Sequence, residues 1–162
     1  MRLTRAGEYA VRCVLYLSSQ GAGMLCARKE IARKMDIPSQ FLGKIAQQLA
    51  RAGVIEIVQG AKGGFRLVVP PEQLTLLEVV EAVIGEIFLN DCVMRAESCN
   101  RSHACAVHCI WAKAKDQLRQ TLQEANFARI LRETSCTPSL TLGATPAGRP
   151  RRGVNRLKKG AI

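Results

Sequence analysis

Apolar residues recur at steps of three and four along most of this chain, and they alternate with polar ones in only one short region. Ala10, Cys13, Val14 and Leu17 fall on one face of a helix spanning residues 4–19. Thr4 is suited to cap its start, and Gln20-Gly-Ala-Gly23 breaks it. A second helix fits residues 27–35, with Ile31, Ala32 and Met35 inward. Asp36-Ile37-Pro38 is a short turn, because the proline disfavours a helical conformation at Ile37. A third helix fits residues 39–52, with Phe41, Leu42, Ile45 and Leu49 as its apolar face and Gly53 as its stop. Its outward positions are then Ser39, Gln40, Gly43, Lys44, Gln47 and Gln48. Two β-branched runs follow, 55–58 and 65–69, around the glycine-rich Gln59–Gly64 turn. They read as a hairpin that Pro70-Pro71 ends.

Leu76, Leu77, Val80, Val83 and Ile84 predict a further helix over residues 74–87. Residues 90–106 have no periodicity and are expected to form an irregular loop. Val107, Trp111, Ala114, Leu118, Leu122 and Ala125 then make one apolar seam on a helix running to about residue 132, roughly 39 Å at 1.5 Å per residue. Lys113, Asp116, Arg119, Gln120, Gln123 and Glu124 occupy the other face. A lone seam on so long a helix predicts a partner helix from a second copy; the alternative is packing on residues 74–87. The expected architecture is mainly α with a small β-hairpin wing: a winged helix-turn-helix plus a long dimerisation helix. It divides into a DNA-binding part (1–71), dimerisation helices carrying a cysteine loop at 90–109 (72–135), and a basic disordered tail (136–162).

Charge sharpens this picture. Residues 1–70 carry 11 Lys/Arg against 4 Asp/Glu, residues 71–136 carry 7 against 9, and residues 137–162 carry 6 against none. A basic first half suggests a polyanionic partner such as nucleic acid, with a solubility surface as the alternative. No apolar run reaches the ~18–20 residues of a membrane span, and the first residues lack a signal-peptide pattern. A cytoplasmic location is expected, with no membrane partner. There the seven cysteines, an odd number, are not a disulfide framework.

Helix, turn, helix and glycine-turn hairpin is the layout of a winged helix-turn-helix, whose second helix enters the major groove of double-stranded DNA. On that helix Gln pairs with adenine, and Lys with guanine or phosphate. The DNA-facing set is therefore Arg28, Lys29, Ser39, Gln40, Lys44, Gln48 and Lys62. Arg28 and Lys29 at a helix start and Lys62 at a hairpin tip suit phosphates.

The densest chemistry lies later, in Cys92-VMRAES-Cys99-NRSHA-Cys105-AV-His108-Cys109-I-Trp111. Cysteine and histidine hold zinc or iron–sulfur clusters. Cys92-x6-Cys99-x5-Cys105 offers three thiolates, and a cluster needs a fourth ligand. Adjacent Cys109, about 100° further round the helix than His108, would give an all-thiolate 4Fe–4S site. Three Cys and one His also satisfy tetrahedral zinc, although the wide gaps and the lack of a Cys-x2-Cys knuckle favour a larger core. Cys13 is expected in the core, and Cys26 and Cys136 without a role. No Rossmann fingerprint, phosphate loop or redox pair is present, so neither an enzyme nor a small-molecule substrate is expected.

The chain resembles a bacterial family of winged helix-turn-helix iron–sulfur transcription regulators, the one that includes IscR and NsrR. The matching pieces are Leu3-Thr-Arg-Ala-Gly-Glu-Tyr-Ala-Val-Arg12, Ile31-Ala through Ile37-Pro38, Phe41-Leu42, Leu49-Ala-Arg-Ala-Gly53, Gly60-Ala-Lys-Gly-Gly-Phe-Arg-Leu67, Thr75-Leu-Leu-Glu78 and the cysteine loop followed by Trp111. The resemblance covers about residues 1–132. It implies a homodimeric regulator, expected to be a repressor, that binds an operator according to cluster state. It also implies that Cys92, Cys99 and Cys105 are cluster ligands. His108, placed as the IscR histidine ligand is, would make a 2Fe–2S cluster, favoured here over 4Fe–4S. Glu8, placed where NsrR supplies a carboxylate from the other subunit, is the next candidate for fourth ligand. Gly43 and Lys44 depart from the pattern, so the operator is not expected to copy that of IscR.

Overall fold

A computed structural model describes residues 4–101 and 104–133. The expected tail (136–162) with Cys136, and His103 in the loop, lie outside the described residues. Helix α1 (Arg5–Gln20) starts where Thr4 accepts the Gly7 N–H at 3.2 Å, and it buries Ala10, Cys13, Val14 and Leu17. Helix α2 (Arg28–Lys34) and helix α3 (Ser39–Arg51) are joined by a turn in which Asp36 has φ 52°. Asp is among the few side chains that tolerate this left-handed conformation. Ile37, beside it, is buried.

Strands β1 (Ile55–Val58) and β2 (Gly64–Leu67) pair antiparallel, with Ile55 opposite Leu67 and Ile57 opposite Phe65. Cys26 exchanges both backbone bonds with Phe65 at 2.9 Å and so extends the hairpin by one residue on its other side. This brings Cys26 into the core rather than leaving it at a helix cap; the N-cap of α2 is Ala27. Helix α4 (Leu76–Ile84) opens with a capping box between Thr75 and Glu78. A single buried cluster runs from Ala10 in α1 through Ile31, Leu42, Leu49, Phe65 and Val79 to Phe127.

The C-terminal helix departs from the sequence expectation. The apolar seam continues to Ala125, but the backbone breaks there into α6 (His108–Glu124) and α7 (Phe127–Arg132). Asn126 caps α7 by accepting the Arg129 N–H at 2.8 Å. Leu76 N–H bonds to Ala125 O at 2.8 Å, and Phe127 N–H to Leu74 O at 3.0 Å. This bridge across to the start of α4 turns the chain and drives Phe127 into full burial. Burying an aromatic ring contributes about 2–3 kcal/mol, more than the one or two helical hydrogen bonds lost at the break. Helix α6 is therefore roughly 26 Å long.

Among its described residues the expected irregular loop contains helix α5 (Asp91–Met94) and a 3-10 turn at Ala96–Ser98. Helix α5 packs against α6. Leu118 and Leu122 of α6 pack on Leu77, Val80 and Ile87, so the far half of the seam is covered within the chain. The near half is not: Val107 and Trp111 of the seam remain exposed, and so does Ile110 beside them.

Candidate nucleic-acid interface and metal centre

Helix α3 lies across α1 and α4 with Leu42, Ile45, Ala46 and Leu49 buried, which leaves Ser39, Gln40, Lys44 and Gln47 exposed along its outer side. Lys29 is exposed at the start of α2, and Lys62 at the tip of the hairpin. The wing is shaped by its glycines. A Cβ at Gly63 would clash with the Val58 carbonyl, and one at Gly64 with the Cys26 carbonyl. Glu56 and Arg66 pair across the hairpin at 2.7 Å. Arg51, exposed in the last turn of α3, adds a cation that the sequence reading did not single out.

Three expected positions differ. Gln48 does not face outward: its Nε2 donates to the Val83 carbonyl at 3.1 Å, because α4 covers that edge of α3. Phe41 is not in the core but 45% exposed, with its ring 6.1 Å from that of Tyr9. Arg28 is exposed, yet its guanidinium turns back onto α3 and donates to the Ser39 carbonyl at 2.5 Å.

The cysteine loop follows the C-terminal end of α4, the end at which Val83 meets Gln48. Glu81 of α4 accepts from the Ile87 N–H at 2.8 Å and from the Arg119 guanidinium of α6. Glu86 lies 3.8 Å from Arg119 and 3.9 Å from Lys115. With its amide oxygen toward α6, Asn90 accepts the Trp111 indole N–H at 3.1 Å, which fastens the loop's beginning to the first turn of α6. The sequence shows none of these five contacts in advance, and the four that reach α6 depend on how it packs against α4 and the segment after it.

Cys92 on α5 and Cys105 before α6 are half-buried, and Cys99 and Cys109 are exposed. His108, the first residue of α6, holds its Nδ1 buried without a hydrogen-bond partner. Its N–H bonds to the Cys105 carbonyl at 3.1 Å, so these two residues share one turn. Among the described residues no three His, Cys, Asp or Glu side chains converge into a ready metal site. The donor chemistry nonetheless fits a thiophilic metal or cluster: a buried imidazole nitrogen lacking a partner is costly unless something binds it. Glu8 is exposed on α1 and lines an apolar groove of about 440 Å³ with Val11, Leu76, Val80, Leu118 and Leu122. Ile87, which lines the same groove, lies five residues before Cys92, and Leu118 lies ten residues along α6 from His108.

Cys13 and Cys26 are different in kind. Burial, and then the neighbouring Cys26, pushes the Cys13 thiol up to about 12. Burial, followed by the charge of Glu30, also raises Cys26. Both stay protonated and unreactive near neutrality. No helix among the described residues is long and apolar enough to cross a membrane.

The profile of one family, Rrf2, described as an iron-dependent transcriptional regulator, matches residues 3–133. The chain is 36% identical over 124 residues to Protein aau3 of Rhizobium meliloti (strain 1021), an alignment covering 76% of this chain and 80% of that one. It is 30% identical over 125 residues to the HTH-type transcriptional regulator NsrR of Shouchella clausii (strain KSM-K16), covering 76% and 84%. Its fold is similar to that of Staphylococcus aureus CymR in an oxidized form, with TM-score 0.63 at 24% identity, covering 82% and 97%.

Proposed function

This chain belongs to the Rrf2 family of transcriptional regulators, and from that premise we propose that it binds an operator as a homodimer and senses through an iron–sulfur cluster held by Cys92, Cys99, Cys105 and His108. It is a DNA-binding winged-helix regulator and not an enzyme. The observation that carries the sensing half is the buried Nδ1 of His108, without a partner, one turn from Cys105. The donor set, three thiols and an imidazole, suits a 2Fe–2S cluster, which would supply reversible one-electron chemistry and reactivity toward oxidants.

The protein's own part is mechanical. Residues 1–71 form the reading part and residues 72–135 the sensing and pairing part. Drawing the ligand residues together or releasing them moves α5 against the first turn of α6, where Asn90 and Trp111 meet. Helix α6 is clamped to α4 by Arg119 and Glu81, and α4 is tied to the reading helix by Val83 and Gln48. A change at the loop thus has a short route to the angle of α3, and reduced operator binding is the expected output of a repressor. The exposed Val107, Ile110 and Trp111 at the start of α6 support pairing with a second copy. In such a dimer Glu8, exposed on α1, is open to serve as the partner's fourth ligand in place of His108; Cys109, exposed, is the remaining candidate.

A second reading, zinc or direct thiol chemistry at the same loop, is favoured by the exposure of Cys99 and Cys109; CymR, with a similar fold, was solved in an oxidized form. Anaerobic purification with iron, sulfide and zinc assays separates the two. Coloured protein with about two irons and two sulfides per chain and operator binding that changes on cluster removal support the cluster. Colourless protein carrying zinc, or no metal, overturns it in favour of the second reading.

A further inference from the structure

We propose that Arg28, which belongs to α2, supplies the central base contact of the DNA-reading surface, and that Gly43 is the notch in α3 that seats it. The inference rests on the reading of α3 as the helix that enters the major groove. The outer side of α3 is built from Gln40, Gly43, Lys44 and Gln47, at the i, i+3, i+4, i+7 spacing of one helical face. Its middle position is glycine, the residue that weakens a helix interior most after proline. A side chain is missing where a reading helix would use one.

That space is not open. A Cβ at Gly43 would stand 3.0 Å from Arg28 Nη2 and 3.4 Å from Cζ, tighter than ordinary van der Waals contact. The guanidinium occupies the notch itself, and Nη2 donates to the Ser39 carbonyl one turn earlier at 2.5 Å. The side chain therefore lies along the reading face from Ser39 to Gly43, and the residue stays exposed.

One of the five guanidinium N–H donors is committed to Ser39, and four remain. Guanine presents O6 and N7 side by side in the major groove, and the flat fork of arginine matches both, whereas an ammonium does not. A guanidinium already fastened to the helix loses less freedom on binding than a swinging one. A phosphate contact from the start of α2, as the sequence suggested, would need no seat on α3. The seat points to a base edge: each half-site should carry a guanine read by Arg28.

The test is selection from a randomised DNA library by the full-length protein, purified anaerobically, followed by binding measurements at several salt concentrations. The wild type should enrich guanine at one position of each half-site. Arg28→Ala should erase that preference, with roughly ten- to hundredfold weaker binding to the guanine-bearing site, and leave the other selected positions unchanged. Arg28→Lys keeps the charge and should lose the same preference. Gly43→Ala, which pushes the guanidinium out, should alter selection at that position alone. Equal weakening of Arg28→Ala on every sequence, with the salt slope reduced by about one, would make Arg28 a phosphate contact and overturn the proposal. Unchanged selection by Gly43→Ala would overturn the notch. A wild-type protein that enriches no sequence in any metal state would bring down the reading of α3 itself, a different result from either.

Discussion

Gln48, on the reading helix, donates its Nε2 hydrogen to the carbonyl of Val83 at 3.1 Å. Val83 lies in the last turn of α4, where backbone carbonyls have no partner within the helix. One amide side chain therefore both completes the end of α4 and fixes α3 to it. Gln48→Leu should lower stability by about 1–2 kcal/mol, the cost of leaving a buried acceptor unpaired. It should leave the selected operator sequence unchanged, since Gln48 does not face DNA. Urea unfolding and library selection on the same variant check both parts; altered selection would return Gln48 to the reading surface.

Arg119 makes the corresponding link at the other side of α4. Its guanidinium shares the Glu81 oxygen with the Ile87 N–H, and the side chains are 29% and 22% exposed. A partly desolvated, charge-assisted bond of this kind is worth more than a surface pair. Arg119→Met, which keeps most of the apolar stem, should cost about 1–2 kcal/mol and speed amide exchange in α6 while leaving α1 to α3 protected. Uniformly faster exchange along the whole chain would mean that the pair stabilises the fold at large rather than the joint between α4 and α6.

The reading half was legible because each of its elements announces itself locally: Thr4 as a cap, Pro38 after the turn, the glycines around Lys62, and apolar spacing that fixes one buried face per helix. The errors fall where a neighbour decides. Gln48 sits at the edge of the polar face of α3, and only the arrival of α4 turns it inward. The break at Asn126 carried a local signal, a capping residue before an apolar one, but the unbroken seam through Ala125 outweighed it. The gain that breaks the helix, burial of Phe127 beside Leu74, is a contact between residues more than fifty positions apart. In the cysteine loop the sequence supplies donors without periodicity, so which of them meet cannot be read from spacing.

The raised Cys13 thiol has a pH signature. Unfolded, the thiol ionises near its ordinary value of 9.0; folded, it keeps its proton to about 12. Between those values the native state binds more protons than the unfolded one, so stability falls as pH rises. The contribution is whole below pH 9 and is lost progressively toward pH 12, with a slope approaching about 1.4 kcal/mol per pH unit. Cys13→Ala should lower stability at pH 7 through the lost sulfur and flatten this alkaline decline. Urea midpoints measured from pH 7 to 10.5 test it; parallel curves for the two proteins would show that Cys13 is not the titrating group.

Gly64 is the most constrained position of the wing. An added methyl meets the Cys26 carbonyl, which is also the acceptor for the Phe65 N–H. Two backbones must separate to admit it, and Cys26 and Phe65 are both buried. Gly64→Ala should therefore cost about 3 kcal/mol and weaken DNA binding by displacing Lys62. Gly60→Ala, where a Cβ meets nothing within 4 Å but φ is +107°, should cost less, on the order of 1–2 kcal/mol from backbone strain alone. Thermal unfolding of the two variants gives the order; a reversed order would move the constraint from the close backbone contact to the turn.

His108 allows the ligand role and a packing role to be separated in one variant. In the metal-free protein its buried Nδ1 lacks a partner, which costs about 1–3 kcal/mol. His108→Leu should therefore leave the metal-free protein equally stable or make it more stable, while iron and sulfide retention fall and the visible spectrum is lost. His108→Cys should retain iron and lower the reduction potential, because replacing imidazole with thiolate adds negative charge at the cluster. Iron assays, spectra and urea unfolding of metal-free samples decide between the roles. Loss of stability in metal-free His108→Leu, with iron content unchanged, would identify His108 as a structural residue and leave the fourth ligand to the partner's carboxylate or to Cys109.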